Sequence, residues 1–150
     1  MAVKHPKTTR APRWPDEPVD PEVAWVNYFA PADEFLVYFG GKPVPAISSP
    51  LNAPGFRGAA VMFGLAADDE STDEIVGVQV IPMLLGAVQD QPAWAALAWA
   101  AMAGDFGTEL LKDRLPGFLT EVHQAFSQHW TPPPSIEEQL AGLTRVDRTP

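Results

Sequence analysis

Short runs of β-branched and aromatic residues dominate the first half of the chain, and helical spacing of apolar residues replaces them in the second. Val23 to Phe29 and Phe35 to Phe39 are two such runs, separated by Ala30-Pro31-Ala32-Asp33-Glu34, which is the pattern of a β-hairpin. Gly40-Gly41 ends the second run. Lys42 to Pro50, punctuated by Pro43, Pro45 and Pro50, reads as an extended loop that continues to Pro54-Gly55. Arg57 to Leu65 is a third expected strand and Ile75 to Ile81 a fourth, with Asp68 to Glu74 as an acidic connection and Pro82 as a stop. Both faces of strands one, two and four carry apolar side chains, so each face is expected to be covered.

Pro92 suits a first helical turn, and Ala93 to Ala103 is almost wholly strong helix former until Gly104. Trp94, Leu97 and Ala101 share one face of that helix, and Trp99 and Met102, followed by Phe106, make another. A helix apolar nearly all round is expected to be buried on more than one side, within the fold or at a subunit interface. Thr108 is a plausible N-cap for a further helix carrying Leu111, Leu115, Phe118, Leu119, Val122 and Phe126, which Pro116-Gly117 should kink or split. Thr131 to Pro134 is a polyproline spacer before Ser135-Ile136-Glu137-Glu138, a capping-box pattern that opens a short helix to about Leu143.

The expected class is α+β: a four-stranded antiparallel meander followed by two or three helices packed on one face. Residues 1–21, with five prolines, form an extended arm that Trp14 is expected to pin to the body. Residues 22–130 form one domain (sheet 22–82, helices 90–130), and residues 131–150 form a Pro-spaced tail.

Tyr28 to Phe39, with its Ala32-Asp33 step, and Glu74 to Ile81, reading Glu-Ile-Val-Gly-Val, together resemble an uncharacterised bacterial family of small β-meander domains. The resemblance covers residues 23–82. It implies an antiparallel sheet of three or four strands and carries no particular activity. The chain departs from the short form by the Gly40 to Pro54 insertion and by the whole helical half.

Composition narrows the possibilities. The 150 residues are 46% hydrophobic and 19% charged, which suits a folded chain burying roughly two thirds of its unfolded surface. Without cysteine, disulfides and thiolate metal sites are excluded. No signal-peptide core opens the chain and the longest apolar stretch, Pro92 to Gly104, is too short to span a bilayer, so a cytoplasmic location and no membrane partner are expected. Net charge is −9. Lys4, Lys7, Arg10 and Arg13 all precede Trp14, leaving 6 basic against 19 acidic residues in the body, a balance of −13. Phosphate backbones repel such a surface, so the folded body is not expected to bind nucleic acid.

Candidate chemistry is sparse. His123 and His129 lie about 240° apart on a helix and cannot share a metal from one face, and His5 is in the arm. Asp68 to Glu74 lacks the ligand spacing of a calcium loop. Asp105, Glu109 and Asp113 recur every four residues, as helix-start acids do. Ser48-Ser49 has no nucleophile elbow, and Gly40-Gly41-Lys42 runs straight into Pro43 rather than into a helix. No catalytic, cofactor or metal residues are therefore assigned.

The feature that stands out is apolar. Trp94, Leu97, Trp99, Met102, Phe106 and Trp130 are interface candidates, with Val44, Pro45 and Ile47 in the loop beyond the double glycine. The expectation is a non-enzymatic interaction or structural module, self-associating into a homo-oligomer or binding a protein partner through its apolar sheet face and Ala/Trp-rich helix. One alternative is a small-molecule-binding or hydrolase-like protein with a pocket between sheet and helices, using Asp33, Glu34 or Asp105. Another is an acidic regulatory partner such as an antitoxin or phage accessory protein.

Overall fold

The computed structural model describes residues 12–68 and 70–132. The expected helix from Ser135, and Lys4, His5, Lys7 and Arg10 of the arm, lie outside the described residues. An antiparallel sheet with helices against it is present, and the α+β class holds. Among the described residues the sheet has five strands rather than four: β1 (Trp25–Phe29), β2 (Glu34–Tyr38), β3 (Ala46–Pro50), β4 (Ala59–Leu65) and β5 (Ser71–Val80), in the order β1-β2-β5-β4-β3.

The additional strand, β3, lies within the stretch expected to be loop. Its prolines are tolerated because β3 is an edge strand, bonded among the described residues to β4 alone, so a missing N–H can face away from the ladder. The order also departs from a simple meander. The β1–β2 hairpin joins the β3–β4–β5 meander through β2 and β5, and the segment after Tyr38 crosses to the far edge.

Strand alternation sorts the side chains into two sets. One face holds Tyr28, Phe35, Val37, Ala59, Val61, Phe63, Ile75, Val78 and Val80, all buried. A register shift between Met62 and Phe63 places Ile75 opposite Phe63, and both are buried in this core.

The helices among the described residues pack on that face. After β5 come a π-helical turn (Met83–Ala87), the short α1 (Val88–Asp90) and a 3-10 turn (Pro92–Trp94). Then follow α2 (Ala95–Met102), a 3-10 corner (Gly104–Gly107) and α3 (Thr108–His129). Thr108 is the first residue of α3 rather than its cap. Gly107 holds the cap position, and a Cβ there would strike the Ala100 carbonyl, so the close return of the chain against α2 requires glycine.

Proline does not split α3. Pro116 and Gly117 are exposed, so the Lys112 carbonyl left without its N–H donor is on the side that water can reach. The buried side carries Leu115, Phe118, Leu119, Val122, Ala125 and Phe126. The Phe118 ring meets Phe35 edge-on at 5.6 Å and Trp94 at 4.7 Å, joining sheet, α2 approach and α3.

Trp14 packs on the body, as expected. Trp14 stacks on His123 at 4.5 Å with ring planes 2° apart and touches Phe39 and Phe126. Arg13 exchanges backbone hydrogen bonds with Asp73 and Ile75, continuing the ladder along β5 where β2 has ended. Burial holds the His123 imidazole below its usual pKa by disfavouring its charged form.

The helices among the described residues do not pack on the second sheet face, although each face was expected to be covered. Trp25, Asn27 and Phe29 of β1, Glu34, Leu36 and Tyr38 of β2, Gly77 and Gln79 of β5, and Ala60, Met62 and Gly64 of β4 share it by register. Small residues occupy its centre: a Cβ on Gly77 would strike the Val37 carbonyl, and Met62 lies over that glycine. Ala60 and Met62 at its centre are 6% and 3% exposed, and polar Asn27, Glu34 and Gln79 lie among the apolar residues of the face.

Phe118→Ala removes the ring at the junction of the two layers. It is expected to lower unfolding free energy by about 3–5 kcal/mol, read as a shift in the urea midpoint with unchanged slope.

Candidate functional site

The acidic and polar candidates do not converge on one place. Asp33 sits in the left-handed region (φ 53°) at the end of the β1–β2 turn, where Asp is among the few residues that adopt it readily. From there its carboxylate caps the helical half. The amides of Leu84 and Leu85 donate to its two oxygens at 2.8 and 2.9 Å, and the Met83 amide donates to its carbonyl at 2.8 Å. The Tyr28 hydroxyl donates to Asp33 Oδ1. First-turn amides of a helix have no internal acceptor, and here a residue about fifty positions earlier supplies it.

These contacts set the electrostatics. Burial alone would raise the Asp33 pKa, but the hydrogen bonds from Tyr28, Leu84 and Leu85 outweigh it and hold the carboxyl below its usual value. The Tyr28 phenol is pushed up to about 12, first by burial and then by the adjacent carboxylate. Asp33 is thus occupied as a clamp. Glu34 accepts from Gln79 Nε2 across the open face, and Asp105 is exposed in the 3-10 corner.

Other candidates are similarly dispersed. Glu109 pairs with Lys112, which also meets Glu22 at 2.9 Å, and Asp113 lies against Arg114. His129 is exposed at the end of α3, separate from the stacked His123. Ser49 accepts a hydrogen bond from Trp130 Nε1 at 2.9 Å. No group of three or more His, Asp or Glu among the described residues is placed to hold a metal. A surface cavity of about 420 Å³ opens beside Ser48, Asn52, Phe56, Arg57 and Gln79, but Arg57 at its rim leans on Asp90 at 3.4 Å.

The apolar candidates divide into two groups. Trp94 and Leu97 are 3% and 1% exposed and close into the chain's own core. Trp94 Nε1 is buried there with no hydrogen-bond partner among the described residues. Trp130 packs on Phe63 and Phe126. Trp99, Met102 and Phe106, in contrast, are 53%, 54% and 90% exposed. They lie along the outer flank of α2 and in the corner that follows it.

That corner lies beside β1. α2 packs against β1, and Thr108, Leu111 and Lys112 at the start of α3 line one groove with Ala24 and Val26. β1 is also an edge strand, with no proline within Trp25–Phe29 and no charge from Val23 to Ala32, and Phe29 at its end is 52% exposed. The opposite edge, β3, is flanked by Pro43, Pro45 and Pro50. Periodicity could not disclose this asymmetry, since strand order decides which runs become edges.

Compared with known protein families, curated proteins and solved structures, the chain finds no match. The Tyr28 to Asp33 pattern therefore takes its meaning from the contacts here, where it joins sheet to helix. No helix among the described residues is long and apolar enough to cross a membrane.

The clamp has a pH signature. A carboxyl held below its unfolded pKa of about 3.9 stabilises the fold above that pH and loses its contribution as pH falls further. Asp33→Asn is expected to lower stability at pH 7 by about 1–3 kcal/mol and to flatten the loss of melting temperature between about pH 5 and 3. Tyr28→Phe should have a smaller effect at pH 7 and keep the acid limb, as thermal melts across pH would show.

Proposed function

We propose that the protein is a non-enzymatic interaction module that self-associates through the surface where the Ala/Trp-rich helix meets the β1 side of the sheet. The observation that carries this reading is the row Trp99, Met102 and Phe106, exposed beside an uncharged edge strand. Pro92 to Gly104 and Val23 to Ala32 contain no charged residue, in a chain whose net charge is −9. Two acidic copies can approach through such a surface with little charge repulsion. Aromatic and methionine side chains with little charge are also the composition of interface centres.

Sedimentation velocity on the full chain at micromolar concentration is expected to show a dimer or larger species. The double substitution Trp99→Asp, Phe106→Asp should weaken association at least tenfold, a usual consequence of placing charge at an interface centre, and leave the far-ultraviolet circular dichroism unchanged. A wild-type chain that stays monomeric to several hundred micromolar would refute the reading.

A further inference from the structure

Phe39 donates its N–H to the Val76 carbonyl of β5, so the odd-numbered residues of β2 bond to β5 and the even-numbered ones to β1. Tyr38, Leu36 and Glu34 are thereby bonded to Trp25, Asn27 and Phe29. The N–H and C=O groups of Val26 and Tyr28 point away from the sheet, and no other described residue bonds to them.

We infer that this edge pairs with β1 of a second copy, antiparallel and centred on Asn27, to make one continuous ten-stranded sheet. The inference rests on the self-association reading and names its contact. Only one register overlaps all five residues of β1: Trp25 opposite Phe29 of the partner, Val26 opposite Tyr28 of the partner, and the two Asn27 residues facing one another on the twofold axis. In that register Val26 and Tyr28 form the hydrogen-bonded pairs, so all four outward groups in each copy are satisfied. Asn27 falls on the open sheet face, where two side-chain amides can pair, flanked by a Trp–Phe contact on either side.

The area fits a dimer of two copies. Phe29, Trp99, Met102 and Phe106, half to nine-tenths exposed, would contribute roughly 500 Å² per copy, against about 800 Å² per partner in a stable interface, before the strand backbone is counted. The α2–α3 corner lies beside the same edge, so pairing the strands brings the two corners toward each other. The proline-bearing β3 edge offers no equivalent template.

The chain has no cysteine, so a single introduced thiol reports on the register. A non-hydrogen-bonded antiparallel pair has Cα atoms about 4.5 Å apart, within the range a disulfide spans. Asn27→Cys in the full chain is expected to form a disulfide-linked dimer almost completely under mild oxidation. Ser48→Cys, exposed on the other edge strand, should cross-link at least tenfold more slowly. In wild type, hydrogen exchange at the Val26 and Tyr28 amides should slow as protein concentration rises. A wild-type dimer in sedimentation without preferential Asn27→Cys cross-linking or concentration-dependent protection would overturn the strand pairing and leave self-association standing. A chain monomeric at all concentrations would overturn both.

Discussion

The carboxylate of Asp33 lies where the β1–β2 turn meets the start of the helical half, and the direction in which that half leaves the sheet follows from it. Leu84 and Leu85 present amides that no intrahelical carbonyl can take, and Asp33 takes both while Tyr28 steadies the carboxylate from the preceding strand. With the turn from Met83 oriented in this way, Trp94 reaches Phe118 and Phe56 under the sheet, and α2 runs toward β1. α3 returns across the same face until Trp130 meets Phe63 and Ser49 near the far edge.

One consequence is an asymmetric molecule. A single layer of helices covers one sheet face, and the other is left with small residues at its centre and aromatic ones toward β1. The two edges differ just as sharply. β3 carries proline, which cannot donate to a further strand, whereas β1 is uncharged and lies beside the corner that exposes Phe106. Edge strands of this bare kind are usually blunted by charge, proline or a bulge, and the absence of all three at β1 is what gives the self-association reading its physical basis.

Much of the fold was legible in the residues. Alternating β-branched and aromatic runs marked β1, β2, β4 and β5, and the alanine-rich stretch marked α2, because periodicity reports which side chains must share a face. β3 was missed because Pro45 and Pro50 argue against a strand unless its position at an edge is known. The continuity of α3 through Pro116 was missed for a similar reason, since the cost of proline depends on whether its side of the helix reaches water. In the candidate site, Trp99, Met102 and Phe106 could be separated from Trp94 and Leu97 by helical spacing, but which group faced the core could not.

The sequence by itself determined the local elements, the lack of disulfide chemistry and the concentration of apolar residues in an acidic chain, since these follow from composition and short-range spacing. Tertiary structure decided which strands became edges, that Asp33 would serve as a cap for amides about fifty residues away, and that the described helices would all pack on one sheet face. Each of these depends on contacts between segments remote along the chain, and short-range pattern carries no record of such contacts.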